Sequence, residues 1–332
     1  MKDINSRTLT VEVGGRLVAF AIALIATGAS AAPSESFPSR PIRIVTAQAG
    51  GGNDFAARLI AHGLTTSLGR PVIVENRGGS VVLAAELIAK SPPDGYTLLL
   101  YGNNLWLLPF MREVVRYDPL KDFAPITLAV NSPNLLVVNP SLPVKSTKEL
   151  IALAKAKQGE LNFGGATGGV AHIAGELFKE LAGVKIVFVP YKGGGPALND
   201  VIAGQLQLMF PTAGAVAQHL NTGRIKALAV TSAKPSTLFP DLPPIAASLP
   251  GYESVSQFAI FGPAKMPASH VELLNQHIVR VVNSAEVKAK FQNVGIEPVG
   301  SSPQGLTTTI KAEMATLGKV IRNAGIRADA AH

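Results

Sequence analysis

The chain has 332 residues, 47% of them hydrophobic, with 30 Lys and Arg against 22 Asp and Glu for a net charge of +8. That length and apolar content exclude a disordered polypeptide and point to two domains or one large one. Zero cysteines exclude disulfides, thiolate metal sites and a lipid-modified N-terminal cysteine, and dispersed lysines without interleaved aromatics argue against a nucleic-acid surface.

Lys2, Arg7 and Arg16 precede an uncharged stretch from Leu17 to Ala32 that ends in the small residues Ala29-Ser30-Ala31. A basic start, an apolar segment and a small-residue end read as a cleavable signal peptide over residues 1–32. The apolar part is too short and too rich in Ala, Gly and Ser to read as an anchor. Export to the periplasm is therefore expected. Loss of residues 1–31 removes three basic and two acidic side chains and leaves a charge of +7, a field that attracts small anions.

From Pro41 onward, strand-like and helix-like segments alternate. IRIV (42–45) leads through Gly50-Gly51-Gly52 into a helical pattern over Asp54–Leu68, with Asn53 or Asp54 as N-cap and Gly69 as stop. VIVEN (72–76) is a strand, Val81–Lys90 a helix, SPPDGY (91–96) a turn and TLLLYG (97–102) a strand. The pattern restarts after Asn139-Pro140. A helix over Thr147–Lys157 opens on Ser146 and Glu149, spaced as a capping box. Then come strands at 161–164, 186–191, 206–210 and 227–231, alternating with helices at 170–181, 196–203 and 214–221. The strand FAIFGPA (258–264) precedes helical patterns at 267–283, 286–293 and 303–324.

Continuous apolar strands separated by helices indicate parallel sheets covered on both faces, an α/β fold. The runs LLVVN (135–139) and FAIFG (258–262) lie near two joins, so the chain crosses twice between lobes. The expected division is 37–133 plus 257–332 for a discontinuous first lobe and 134–256 for the second. Such a fold leaves a cleft where ligands meet the carboxyl ends of strands.

The glycine run is not a nucleotide loop. It lacks the Lys-Ser/Thr of a P-loop, and counted from Gly50 the sixth position is Phe55 rather than the Gly or Ala of a dinucleotide fingerprint. No G-x-S-x-G elbow or H-E-x-x-H helix is present, and the six histidines show no metal-ligand spacing. Trp106 reads as core packing before it reads as a cover for an aromatic ligand; His62 and His172 read as helix-face or capping residues. What remains is anion capture by backbone. Helix N-termini offer unpaired N–H groups, and glycines let those groups approach closely. The arrangement occurs twice, at Gly50–Asn53 and in GGATGGVAH (164–172), one in each expected lobe.

The segments FPSRPIRIVTAQAGGGNDFAARLIAHGL (37–64), GRPVIVENRGG (69–79), PDGYTLLLYG (93–102) and YDPLKDFAPIT (117–127) resemble the Bug receptors. These are the extracytoplasmic solute-binding proteins of tripartite tricarboxylate transporters. NLLVVNPSLPVKSTKELIALAKAKQGELNFG (134–164), VPYKGGGPALNDVIAGQLQLMF (189–210) and GRIKALAVTSAKPS (223–236) continue the match. The resemblance implies a two-lobed, type II periplasmic-binding-protein fold, each lobe a mixed, mostly parallel sheet covered by helices, that closes on a small carboxylate, a di- or tricarboxylate or an aromatic acid, between two helix N-termini.

It implies no enzyme activity, no cofactor and no metal. The implied partners are a large and a small integral-membrane subunit, or none for an orphan receptor used in sensing, and the protein is expected to be a monomer. The implied ligand contacts are Ala47, Gln48, Ala49, Gly51, Gly52, Asn53 and Asn103 in the first lobe, and Ala166, Thr167, Gly168, Gly169, Tyr191 and Thr212 in the second. Several of these depart from the family pattern. Thr46-Ala47-Gln48-Ala49 replaces Pro-Phe-Pro-Pro, Asn53 replaces Thr or Ser, and Pro211 replaces a frequent Asp that would bind an ammonium group. A periplasmic enzyme or sensor reusing the cleft, or a cleft altered by these substitutions, are the alternatives.

Overall fold

The computed structural model describes residues 37–47, 49, 52–77, 81–191 and 193–327, with only the backbone of Ala217 and Gln218. The expected signal peptide lies outside the described residues, as do Gln48 and Gly51. Residues 40–332 form one compact unit, and all that follows concerns it.

The elements run in the order β1 (Ile42–Thr46), α1 (Gly52–Leu68), β2 (Val72–Asn76), α2 (Val81–Ala89), β3 (Thr97–Gly102), α3 (Asn104–Leu107), β4 (Phe123–Pro133) and β5 (Leu135–Val138). They continue with α4 (Thr147–Ala156), β6 (Asn162–Ala166), α5 (Val170–Ala182), β7 (Val187–Tyr191), α6 (Gly194–Ala203), β8 (Leu208–Met209), α7 (Ala213–Asn221) and β9 (Lys226–Val230). The chain closes with β10 (Val255–Pro263), α8 (Ala268–Val282), α9 (Ala285–Gln292), β11 (Glu297–Pro298) and α10 (Pro303–Asn323).

Two sheets result, one per lobe. The first has six strands in the order β11-β4-β10-β3-β1-β2, the second five in the order β7-β6-β8-β5-β9. β1 pairs in parallel with both β2 and β3, while β10 returns antiparallel between β3 and β4. In the second sheet β6 pairs in parallel with β7 and β8, and β5 runs antiparallel to β8 and β9. Two strands of the first sheet, β10 and the edge strand β11, and one of the second, β5, run against an otherwise parallel set. The buried apolar runs Ile42, Ile44, Val45 and Leu98–Leu100 follow from coverage on both faces.

β4 is the element that sequence pattern passed over. Its eleven residues include Pro125 and Pro133, and proline argues against a central strand because it cannot donate to the ladder. The structure accommodates both. Pro125 pairs with Phe261 beside a register irregularity between Ile260 and Phe261, and Pro133 is the last residue of the strand. β4 leaves the six-stranded sheet at Pro133 and β5 begins at Leu135, so Asn134 alone spans the crossing.

Local signals hold elsewhere. The Ser146 hydroxyl accepts the Glu149 N–H at 3.2 Å, while the Glu149 carboxylate accepts from Lys145 N at 2.8 Å, one residue before the cap. Asp94 accepts the Tyr96 N–H at 3.0 Å within the SPPDGY turn. α10 packs along β4 and against α5, and the buried Tyr252 hydroxyl donates to Ala174 O of α5 at 3.0 Å. These contacts tie α5, whose first turn faces the cleft, to the rest of the fold.

Candidate functional site: the cleft between the sheets

The second-lobe wall is the loop from β6 to α5. Gly169 N–H donates to Ala166 O at 3.0 Å, and the first bond of the helix runs from Ile173 N–H to Gly169 O at 3.1 Å. The N–H groups of Val170, Ala171 and His172 therefore have no intrahelical acceptor. Gly168 sits at φ +71°, where an L side chain is strained. Its N–H donates to His172 Nδ1 at 3.1 Å, so the helix fixes the loop that opens it. That bond leaves the proton on Nε2. The imidazole lies face to face with Phe188, centroids 3.6 Å apart and planes 6° from parallel. Burial, then the nearby Lys179 ammonium, hold its pKa down to about 4. His172 is a neutral positioning residue, in line with its capping reading.

The first-lobe wall begins at α1. The helix starts at Gly52, so Asn53 and Asp54 lie inside its first turn rather than capping it. A Cβ on Gly52 would come within 3.1 Å of the Phe258 ring, which is the close approach this glycine permits. Asp54 is buried, accepts from Asn76 Nδ2 at 2.8 Å and pairs with Arg58 Nε at 2.9 Å. An acid already occupies the positive end of α1, whereas the first turn of α5 holds none. The two helix starts are thus not equivalent for an incoming anion. α5 is the open one.

Between these walls lies a cavity of about 270 Å³ bordered by Asn53, Asn103, Gly168, Gly169, Ser256 and Phe258, among others. A second, of about 410 Å³, lies in the second lobe against Ala166, Gly169, Leu198, Pro211 and Thr212. Gly169 and Val170 border both. No charged side chain borders either cavity among the described residues. The lining provides backbone N–H groups, amides and hydroxyls around apolar walls, which suits holding a small molecule. Among the described residues it presents no nucleophile paired with a base.

The expected contact residues divide. Asn53, Asn103, Gly168 and Gly169 border the first cavity, and Ala166, Gly169 and Thr212 the second. The Asn103 amide is committed to its own lobe, donating to Val255 O at 3.0 Å and bonding Glu313. Ala47 O accepts from Asn76 Nδ2 at 2.8 Å, Ala49 is exposed, and Thr167 is an exposed turn residue; none of the three borders either of these two cavities. Tyr191 does not border these two cavities either. Its hydroxyl donates to Asp200 at 2.5 Å and its ring packs over Gly164. Trp106 is fully buried, edge-on to Phe261, with Nε1 donating to Glu313 at 2.8 Å, so it is core and not a ligand cover. His62 lies on the exposed face of α1.

Sequence reasoning missed Ser254, Ser256 and Phe258 of the β10 segment, which border the first cavity because β10 is inserted beside β3. It also missed Asn134, which borders the second. The available signal was a lone amide between the apolar runs of β4 and β5, but it follows Pro133 and looks like a turn.

Comparison with known proteins decides the family. The model of the tripartite tricarboxylate transporter family receptor matches residues 56–326. The chain belongs to this receptor family. BugT of Bordetella pertussis is 36% identical over 321 residues, which cover 94% of this chain and 98% of BugT. Among solved structures, R. palustris Rpa4515 with adipate is 37% identical with a TM-score of 0.71, covering 88% of this chain and 99% of that one. MatC from Rhodopseudomonas palustris, with bound malate, is 28% identical with a TM-score of 0.68, covering 86% of this chain and 100% of MatC. The receptor thus has the two-lobed fold of the Bug-type binding proteins, as its sequence resemblance implied.

Proposed function

We propose that this receptor is an exported, non-enzymatic binding protein that closes over a small carboxylate and delivers it to the integral-membrane subunits of a tripartite tricarboxylate-type transporter. The observation that carries the reading is the shared position of Gly169 and Val170 at the start of α5, bordering both cavities. An anion there meets unpaired N–H groups and the positive end of a 13-residue helix without any cationic side chain. The adipate and malate of the two solved relatives support the same ligand class.

Closure follows from the connections. The lobes, 37–133 with 257–332 and 134–256, pivot about the crossing at Asn134 and the second crossing before β10, and a ligand touching both walls favours the closed state by its differential contacts. The protein acts as a monomer in the periplasm after removal of residues 1–32.

The deciding experiment is a thermal-shift screen of the mature protein against di- and tricarboxylates, aromatic acids and amino acids, followed by calorimetry. A ligand at a hundredfold excess over its Kd adds about 2.7 kcal/mol to the folded state. A shift confined to carboxylates establishes the reading. Shifts with uncharged compounds alone, or turnover of any bound acid, overturn it.

A further inference from the structure

The larger cavity contains a group that anion capture leaves unused. The backbone of Asn134 is fully engaged at the crossing. Its N–H donates to Thr231 Oγ1 at 2.9 Å, and its carbonyl accepts from Thr231 N at 2.9 Å and from the Thr231 hydroxyl at 3.1 Å. Its side chain is not. Asn134 has no exposed surface, neither Oδ1 nor Nδ2 has a hydrogen-bond partner, and the residue borders the 410 Å³ cavity. Buried amides are rarely left open at both ends, because each unpaired end forfeits the bonds it had with water. An open amide on a ligand cavity asks for a ligand atom.

The surroundings restrict what that atom belongs to. Leu198, Met209, Phe210, Pro211 and Ala215 make the cavity apolar, and Thr212 adds one hydroxyl. A carboxylate paired with Asn134 would satisfy Nδ2 and leave Oδ1 facing another acceptor, even though the glycine start of α6 at Gly194 and Gly195 borders the same cavity and offers N–H groups to an anion elsewhere in it. A hydroxyl or a primary amide satisfies both ends, since each donates and accepts. The start of α5 borders the same cavity and takes the anionic end.

Resting on the carboxylate-receptor reading above, we infer that the preferred ligand is a monocarboxylate whose far end is an uncharged group able both to donate and to accept a hydrogen bond. The carboxylate sits at Gly169–Val170, an apolar body lies along Leu198 and Met209, and the far hydroxyl or amide pairs with Asn134. This sets the receptor apart from one that holds a carboxylate at each end.

The test is calorimetry with four- and six-carbon acids, each as the plain monocarboxylate, the ω-hydroxy acid, the ω-amide and the dicarboxylate. In the wild-type protein the ω-hydroxy acid or ω-amide is expected to bind at least tenfold tighter than the monocarboxylate and dicarboxylate of equal length. Asn134→Leu is expected to erase the advantage over the monocarboxylate and to raise the ligand-free Tm, because it removes an unpaired buried amide. A purely structural asparagine would lower it. Asn134→Ala serves if the leucine variant does not fold, with the same loss of preference expected. Tightest binding of a dicarboxylate, or an unchanged order of affinities in the variants, overturns the inference and leaves the carboxylate reading standing. Absence of binding by all eight acids overturns the inference, and it overturns the carboxylate reading as well only if the broader screen of tricarboxylates and aromatic acids also gives no shift.

Discussion

Gly168 donates its backbone N–H to Nδ1 of His172, four residues on, at 3.1 Å. The bond joins the most constrained residue of the second cleft loop to a side chain of the helix that the loop opens. It requires a neutral imidazole, because a protonated ring has no acceptor. The burial of His172 and the nearby Lys179 ammonium both favour that neutral form, so loop shape and protonation state are one property.

Acid is therefore expected to loosen this loop. The folded pKa of His172 is held down to about 4, below its unfolded value near 6.5. The folded state binds fewer protons between those values, so the contribution is fully present above pH 6.5 and is lost as pH falls toward 4. The loss amounts to roughly 2–3 kcal/mol. His172→Asn keeps an acceptor near the Nδ1 position and does not titrate. Its Tm should fall less than that of the wild type between pH 6.5 and 4, and an equal fall in both proteins would refute the assignment.

Glu313 of α10 titrates with the opposite sense. Burial, with Glu253 adding to it, pushes its carboxyl up to about 7 against the bonds from Trp106 and Asn103. The folded state holds the proton longer than the unfolded chain, so stability declines as pH rises from about 4.5 to 7, by about 3 kcal/mol. Glu313→Gln can still accept from Trp106 Nε1. It should raise Tm at pH 7.5 and leave it nearly unchanged at pH 4.5, as scanning calorimetry at the two pH values would show.

The architecture was legible because burial on both sheet faces writes itself as continuous apolar strands. Ile42–Thr46 and Thr97–Gly102 are bounded by glycine and proline signals that local geometry obeys. β4 was not legible, because Pro125 is tolerated only through an irregularity set by β10, which lies more than a hundred residues later. The glycine-opened start of α5 was visible as a helix start bordering the cleft cavities. The occupied start of α1 was not, since Asp54 is held in place there by Asn76 from the next strand and by Arg58. Asn134 was hidden for the same reason, because an unpaired amide is a property of its neighbours and not of its own letter.

Packing behind α5 gives a test of how its first turn is held. Gly175 lies on the face toward β6, and a Cβ there would come 2.1 Å from the Phe163 ring. Phe163 is itself buried against Phe188 and Phe210, so it has little room to withdraw. Gly175→Ala should cost about 1–3 kcal/mol through overpacking, against the usual gain of alanine in a helix. Chemical denaturation would show it as a lower midpoint at unchanged m-value; a stabilised variant would mean that the helix slides freely on the sheet.

Pro211 offers a change of specificity. It borders the 410 Å³ cavity between Phe210 and Thr212, and its carbonyl accepts the Leu135 N–H at 2.9 Å, a bond that substitution retains. Pro211→Asp places a carboxylate in a chamber bordered by no charged side chain among the described residues. Like charges juxtaposed in such a site cost several kcal/mol, whereas an ammonium group would be drawn to it. Dicarboxylate affinity should fall at least tenfold, and an ω-amino acid of the same length should gain relative to it. The variant will lose some stability from the buried charge, so affinities are compared by calorimetry well below its Tm. An unchanged ratio of ω-amino acid to dicarboxylate would place the far end of the ligand away from residue 211.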